Sequence, residues 1–183
     1  MADWAAWITC SINVTDILDV CVNGPVNTFA DDWPQFMQQN LDPKIVAKTR
    51  GAGSWRTEER IYHIYLYGLL YALRSKGWEV IIEPRAGSGY IDIRLISKKS
   101  RSAVLIELKS SENKQDIDDD SSVALDQIVQ KNYRNRVGLP NVLTLREYGI
   151  ANWHLESCVK ARYLELDGGC ARWIEKVDPA MTM

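Results

Sequence analysis

Three residues with catalytic side-chain chemistry lie near one another in the middle of the chain. Asp92 falls in one apolar run, residues 90–97, and Glu107 and Lys109 fall in the next run, residues 103–110. If the two runs pair as a hairpin of strands, alternation places these side chains at one edge of a sheet. Carboxylate oxygens suit hard cations such as Mg²⁺, and a metal-bound water beside a lysine can hydrolyse a phosphodiester. The sequence therefore predicts a metal-dependent hydrolytic site.

The composition of the chain bounds the classes of protein to consider. The 183 residues carry a formal net charge of −2, and 46% of them are hydrophobic. That content suffices for one sizeable core with a small additional region. A nearly neutral chain does not coat nucleic acid through its overall charge, although it leaves room for a local basic groove.

The cysteines and the apolar runs indicate the cellular environment. The four cysteines are Cys10, Cys21, Cys158 and Cys170. They form no CxxC pair and are expected to be reduced core thiols. No apolar run approaches the ~18 residues of a membrane-spanning helix, and the N-terminus lacks the pattern of a signal peptide. We therefore expect an intracellular protein, cytoplasmic or nuclear, without a membrane partner.

The first part of the chain, residues 1–53, is predicted to be a small helical accessory region. Short helices are expected at residues 15–22 and 26–39, and the glycine-containing stretch 48–54 is typical of a linker. A second domain is predicted over residues 54–183. The N-terminal helical region is a candidate surface for a protein partner.

Two helices are expected to flank the strands of the second domain. The stronger one covers residues 57–76, is closed by Gly77, and is predicted to carry an apolar stripe. The stripe comprises Ile61, Ile64, Tyr65, Leu69, Ala72 and Leu73. The acidic stretch 116–122 is interpreted as a solvated lead-in to the second helix, residues 123–136.

Six segments of the second domain have the pattern of β-strands. They cover residues 78–83, 90–97, 103–110, 143–155, 158–166 and 171–177. Asp167 and the two glycines after it are predicted to form a tight turn between the last two strands. Strands that alternate with helices in this way indicate an α/β fold.

Several short motifs follow one another in an informative order. They are Glu59-Arg60-Ile61-Tyr62-His63 with Gly68-Leu69-Leu70, Glu83, Gly87-Ser88-Gly89-Tyr90-Ile91-Asp92, Ile106-Glu107-Leu108-Lys109, Ala124-Leu125-Asp126-Gln127-Ile128 with Lys131 and Tyr133, and Tyr148-Gly149-Ile150-Ala151. The ordered set resembles the PD-(D/E)XK, or restriction-endonuclease-like, nuclease superfamily. Within it, the chain is similar to the branch often fused to AAA-ATPase-like modules. That branch usually carries Arg at the position of Tyr90.

The resemblance implies a fold and a metal site. The fold is a restriction-endonuclease-like α/β core, with a mixed and mostly antiparallel sheet flanked by helices. Asp92, Glu107 and the backbone carbonyl of Leu108 would bind Mg²⁺ or Mn²⁺. Lys109 would activate the attacking water or stabilise charge on the phosphate, and the sequence leaves both roles open.

Five further residues complete the predicted site. By the same resemblance, Glu59 would reach the metal directly or through water and would orient Lys109 or the nucleophile. Gln127 would hold the lysine or a phosphate oxygen. The candidate substrate-binding residues are Lys131, Tyr133 and Arg85.

These residues also have structural interpretations that need no catalysis. The central acids and the lysine could be ordinary exposed strand positions, and Glu59 could simply favour the positive end of its helix. His63 and His154 have apolar neighbours, so they are expected to be core or hydrogen-bonded histidines rather than catalytic groups.

Together the motifs predict a metal-dependent nuclease whose partner is nucleic acid, with endonucleolytic cleavage of DNA as the first hypothesis. The alternative is a nuclease-like module with little hydrolysis that binds nucleic acid or a protein in a toxin or effector system. The sequence leaves open DNA versus RNA, single versus double strands, the oligomeric state, and whether the chain is a fragment.

Overall fold

A six-stranded sheet forms the centre of the molecule. The computed structural model describes residues 12–44, 55–136, 141–167 and 172–178, and of residues 55–58 and 135–136 it describes the backbone alone. The described residues form eight strands, of which six belong to this sheet. They are β1 (Glu79–Ile82), β2 (Arg85–Ala86), β3 (Gly89–Tyr90), β4 (Ile93–Ser97), β5 (Ser102–Ser110), β6 (Thr144–Trp153), β7 (Glu156–Asp167) and β8 (Arg172–Glu175).

The order of the strands in the sheet is β1-β4-β5-β6-β7-β8. Strands β5 and β6 pair in parallel, and the other neighbours pair antiparallel. Strands β2 and β3 form a separate small hairpin between β1 and β4. The expectation of an α/β fold with a mixed, mostly antiparallel sheet is therefore confirmed.

Four α-helices accompany the sheet in the described part of the chain. They are α1 (Val14–Asn23), α2 (Val26–Asn40), α3 (Trp55–Leu70) and α4 (Ile117–Gln130). Asn13 caps α1, because its side-chain oxygen accepts a hydrogen bond of 2.9 Å from the backbone N–H of Asp16. The two predicted N-terminal helices are thus present, and the predicted linker, residues 48–54, lies outside the described residues.

Alternation along β5 divides the core between the two faces of the sheet. Val104 and Ile106 are buried in one hydrophobic cluster with residues of α1, α2 and α3. Ala103 and Leu105 point the other way and belong to a second cluster, to which α4 contributes. Residues at odd positions of β5 therefore face α4.

The side chains that α3 and the turn after it bury overlap only in part with the predicted stripe. Tyr62, Leu66 and Leu70 are buried, whereas Ile64 is 71% exposed. Tyr62 can occupy a core position because its hydroxyl donates a hydrogen bond of 2.8 Å to the carbonyl of His154. The predicted stripe was wrong at Ile64, whereas Leu73 is buried as predicted and Tyr65 and Leu69 pack partly against the core.

The predicted limits of α4 were also wrong. The helix begins at Ile117 and ends at Gln130, so the acidic stretch is its first turn rather than a solvated lead-in. Negative side chains there interact favourably with the positive end of the helix dipole. The helix ends before Asn132, whose φ of 58° is incompatible with a continuing α-helix.

Buried polar contacts join the turn between α1 and α2 to the sheet. Arg146 of β6 donates a hydrogen bond of 3.3 Å to the carbonyl of Asn23 and lies 3.8 Å from a carboxylate oxygen of Asp178. The same oxygen of Asp178 accepts a hydrogen bond of 3.1 Å from the backbone of Val26. The first helices therefore pack directly on the sheet, and a domain boundary after residue 53 stays a prediction.

Two further expectations concern the cysteines and the membrane. Cys21 and Cys158 are free thiols, as expected, whereas Cys10, Cys170 and the predicted glycine turn fall outside the described residues. Across the described ranges, each helix is too short or too polar to traverse a lipid bilayer.

Candidate active site

The β4–β5 hairpin brings the predicted acids together. Its register places Asp92, which immediately precedes β4, beside Glu107 of β5. The backbone N–H of Leu108 donates a hydrogen bond of 2.6 Å to Asp92 Oδ2. Lys109 is two positions after Glu107 and therefore lies on the same face of the strand. The three residues expected from the sequence are thus brought together at the open end of the β4–β5 hairpin, within the interior of the sheet.

Gln127 of α4 contacts both the acid and the amine on this face. Its side-chain nitrogen donates a hydrogen bond to Glu107 Oε1, and Lys109 Nζ donates one of 3.4 Å to its side-chain oxygen. The amide therefore links two groups of opposite charge and restricts the position of each.

A glycine allows α4 to approach the sheet at this point. Gly149 of β6 is the register partner of Glu107, and a Cβ atom there would lie 2.3 Å from the backbone nitrogen of Leu125. Only a residue without a side chain permits so close a contact between helix and strand. Gly149 thereby brings Gln127 within reach of β5, a role that the motif match alone did not indicate.

Glu107 is an ionisable residue in an unfavourable environment. It is 4% exposed, and its Oε2 atom is buried without a hydrogen-bond partner among the described residues. Burial and then repulsion by Asp92 raise the pKa of Glu107 to about 8, against opposing contributions from the Asp92 backbone and from Lys109. A cation near both acids would relieve the two causes of this shift.

His63 of α3 contacts the second oxygen of Asp92. Its Nε2 atom lies 3.1 Å from Asp92 Oδ1. Burial acts to lower the pKa of His63, but contact with Asp92 and the charges of Glu59 and Glu83 raise it overall. The sequence indicated a core or hydrogen-bonded histidine but missed its partner. The four-residue spacing from Glu59 places both side chains on one helix face, and this could have indicated that His63 lies near the site.

Glu59 and Lys109 line a cleft of about 330 Å³ next to the acids. The other lining residues are Ser110, Glu112, Asp116 and Asp120. Lys109 is therefore the single basic group among the lining residues of a predominantly acidic cleft. The sequence analysis missed this acidic rim because it treated the beginning of α4 as a solvated segment.

The predicted substrate-binding residues lie at the β2–β3 hairpin and after α4. Arg85 and Lys131 are exposed, and the carbonyl of Lys131 accepts a hydrogen bond of 3.0 Å from Ser88. Tyr133 is buried, and its hydroxyl donates a hydrogen bond of 2.8 Å to the carbonyl of Tyr90. Tyr133 therefore supports the segment that leads to the acids, whereas Arg85 and Lys131 are accessible from solvent.

The side chains present are compatible with a divalent cation. Within the described ranges, no group of three His, Cys, Asp or Glu side chains forms a metal-binding cluster. Asp92, Glu107 and the carbonyl of Leu108 nevertheless offer hard oxygen donors, and one buried carboxylate oxygen is without a partner among the described residues. The chemistry of this donor set fits Mg²⁺ or Mn²⁺, and the presence of the metal stays a prediction.

Comparison with known proteins gives an independent result. A family model described as the PD-(D/E)XK nuclease superfamily matches residues 57–162, which extend from α3 into β7 and include the acids, Lys109 and Gln127. No curated protein matches the chain significantly.

Proposed function

Because the chain belongs to the PD-(D/E)XK nuclease superfamily, we propose that it is a DNA endonuclease whose phosphodiester hydrolysis depends on Mg²⁺ or Mn²⁺. The observation that carries the proposal is the pair of adjacent carboxylates, Asp92 and Glu107, with the amine of Lys109 linked to Glu107 through Gln127.

Asp92, Glu107 and the carbonyl of Leu108 would hold the metal. When bound, it would lower the pKa of a water molecule and stabilise charge on the phosphate. Leu108 N–H and His63 each contact one oxygen of Asp92 and so fix the orientation of its carboxylate. A carboxylate has about four acceptor positions, so both oxygens keep capacity for a further ligand.

Lys109 is the proposed group that acts on the reacting atoms. An ammonium near a phosphate stabilises developing negative charge, and an amine can instead accept a proton from the attacking water. The hydrogen bond to Gln127 restricts the position of Nζ in either role. Gln127 is therefore proposed to be a positioning residue.

Glu59 lines the same cleft as Lys109 and is proposed to orient the water or Lys109. Its charge contributes to the pKa shifts of both His63 and Glu107, which supports its proximity to the site. The carboxylate of Glu59 would also balance the positive charge of Lys109.

The direct test is cleavage of supercoiled plasmid DNA with Mg²⁺ or Mn²⁺, with single-stranded DNA and RNA as further substrates. We expect Lys109→Ala to lower kcat by about 10²- to 10⁴-fold, the usual contribution of a positioned proton-transfer or charge-stabilising group. Asp92→Asn should abolish the metal dependence along with the activity.

Asp126→Asn is a matched control for these variants. Asp126 is the neighbour of Gln127 in the chain, but its carboxylate pairs with Arg162 at 2.5 Å rather than with a group of the site. This variant should cleave like the wild type. A folded Lys109→Ala protein that retains wild-type activity would exclude the mechanism. A wild type that binds nucleic acid without cleaving it would favour the alternative of a binding module.

A further inference from the structure

An exposed aromatic ring and an exposed guanidinium lie on the β2–β3 hairpin. Tyr90 is 61% exposed and is the most exposed tyrosine in the described ranges. Arg85 is its direct partner across the hairpin. Opposed residues of an antiparallel pair project from the same face, with Cβ atoms about 4.5–5.5 Å apart. The two side chains form one surface, which we call the Tyr90–Arg85 platform.

The platform stands on a hairpin that is fixed to the body of the protein. Ser88 donates a hydrogen bond of 3.0 Å to the carbonyl of Lys131 after α4, and Tyr133 donates one of 2.8 Å to the carbonyl of Tyr90. Gly87 packs against the same carbonyl of Lys131 so closely that a Cβ atom there would overlap it. A surface that is rigid before binding loses little conformational entropy when a ligand binds.

The platform is next to the proposed metal ligands. Tyr90 precedes Asp92 by two residues, so their Cα atoms are at most about 7 Å apart. Tyr133, whose hydroxyl binds the Tyr90 carbonyl, is also close to Glu107. Burial raises the pKa of Tyr133, and the charge of Glu107 raises it further. A base stacked on Tyr90 would therefore be about one nucleotide from a phosphate held at Asp92 and Glu107.

The chemistry of the platform suits an unpaired nucleobase. An aromatic ring stacks on the face of any base, and an arginine can add a cation–π or phosphate contact. Lys131 provides a second exposed cation close to the hairpin. In a duplex the faces of the bases are covered by their neighbours, whereas a single strand leaves them available for stacking.

The acidic cleft provides a second reason to expect a flexible substrate. Glu59, Glu112, Asp116 and Asp120 line the cleft around Lys109 and repel a phosphodiester backbone that continues through it. Duplex DNA is stiff over about 150 base pairs and bends away only at a substantial energetic cost. A single strand can turn sharply at the reacting phosphate and avoid the acidic rim.

We propose that the Tyr90–Arg85 platform stacks an unpaired base beside the scissile phosphate, so that single-stranded DNA is the preferred substrate class. This inference rests on the proposed nuclease function for its biological meaning. The binding of single strands to the platform, however, is measurable without hydrolysis.

The test is the binding of a fluorescein-labelled single-stranded oligonucleotide and of the matching duplex, measured by anisotropy in EDTA. We expect the wild type to prefer the single strand. Tyr90→Ala should weaken single-strand binding by about 5- to 150-fold, the range for loss of one stacked base. Tyr90→Trp should retain the affinity, and duplex binding should change little in either variant.

Two further variants separate stacking from other effects. Tyr71→Ala removes another partly exposed tyrosine, one that contacts Arg74 away from the hairpin, and should bind both DNA forms like the wild type. Tyr90→Leu keeps apolar bulk without an aromatic ring and should behave like Tyr90→Ala. Equal weakening of single-strand and duplex binding by Tyr90→Ala, or no weakening, would overturn the inference.

A parallel hydrolysis assay with Mn²⁺ distinguishes the two proposals. Tyr90-dependent single-strand binding without any cleavage would refute the nuclease function and retain the platform. Cleavage with unaltered binding by Tyr90→Ala would refute the platform and retain the nuclease. If both hold, Tyr90→Ala should raise KM for single strands more than it lowers kcat.

Discussion

Two buried glutamates on adjacent strands, Glu107 of β5 and Glu147 of β6, have contrasting partners. Both face the α4 side of the sheet and are almost inaccessible to solvent. Arg134 donates hydrogen bonds of 2.6 and 2.8 Å to the two carboxylate oxygens of Glu147. Glu107 instead receives the amide of Gln127 on one oxygen and has the carboxylate of Asp92 as its neighbour.

The difference separates an acid with a structural ion pair from the acid that we propose to be functional. A buried carboxylate is tolerated when a cation and hydrogen bonds compensate for lost hydration. The guanidinium of Arg134 provides this compensation for Glu147 from within the chain. For Glu107 the compensation is incomplete, so protonation or an external cation must neutralise it. Burial is common to both glutamates, so it is the missing countercharge that singles out Glu107 as the candidate metal ligand.

The sharpest tests of the comparison remove the charge of Glu107 without changing its shape and, separately, remove the countercharge of Glu147. On the proposed function, Glu107→Gln should lower the cleavage rate on the order of 10³-fold, since metal charge stabilisation is worth several kcal/mol. Its resistance to urea in EDTA should equal or exceed that of the wild type, because an unfavourable charge is removed. Wild-type cleavage by a folded Glu107→Gln protein would contradict the assignment.

The opposite outcome is expected at the second glutamate. Arg134→Met leaves the Glu147 carboxylate buried without its cation and should lower the free energy of unfolding by roughly 3–5 kcal/mol. Urea denaturation measures this loss. The double variant Arg134→Met with Glu147→Leu should recover most of it, because both charges are then absent. If the double variant were as unstable as the single one, charge pairing would not be the cause.

The pH dependence of stability should differ between the metal-free wild type and Glu107→Gln. The pKa of Glu107 in the folded protein is raised from 4.5 to about 8, so its stabilising contribution is present at low pH and declines between these values. The raised pKa of His63 acts in the same direction above its ordinary value of 6.5. The Tm in EDTA should therefore fall as the pH rises towards 8, and more steeply in the wild type.

Adding Mn²⁺ at pH 8 should restore the Tm of the wild type, because the cation replaces the proton lost from the acid pair. The Glu107→Gln protein should gain less. Parallel pH profiles for the two proteins, with and without Mn²⁺, would argue against a special titration of this residue.

The smallest expected effect tests the approach of α4 to the sheet. Gly149→Ala introduces a methyl group against the backbone of α4 and should destabilise the protein by about 1–3 kcal/mol. It should also reduce cleavage, since Gln127 moves away from Glu107 and Lys109. Gly68→Ala is the matched control, because a Cβ atom there meets nothing within 4 Å and alanine favours the helix. Equal stability losses in both variants would remove the argument from close packing.

The hairpin and its acids were predictable because the side-chain period of a strand is two. Once two neighbouring runs pair antiparallel, the register fixes which residues share a face. Asp92, Glu107 and Lys109 follow from that rule without knowledge of distant contacts. The resemblance carried by the ordered motifs added Gln127.

The remaining features depend on contacts between distant parts of the chain. The ion pair of Arg134 with Glu147 requires α4 to end where it does, and the helix includes an acidic first turn that the hydrophobic pattern did not indicate. The fit of Gly149 against α4 appears only when strand and helix are docked. Patterns within one segment do not contain this information.

The packing of the first two helices has a consequence for protein engineering. The ring of Phe29 on α2 lies 4.6 Å from the ring of Tyr148 on β6, although Phe29 precedes the family-matched residues 57–162. A protein truncated to residues 57–162 would lack Phe29 and would expose the apolar surface around Tyr148. It would also leave the buried Arg146 without Asp178. Fusions and truncations should therefore retain α1, α2 and the segment after β8 if a soluble product is wanted.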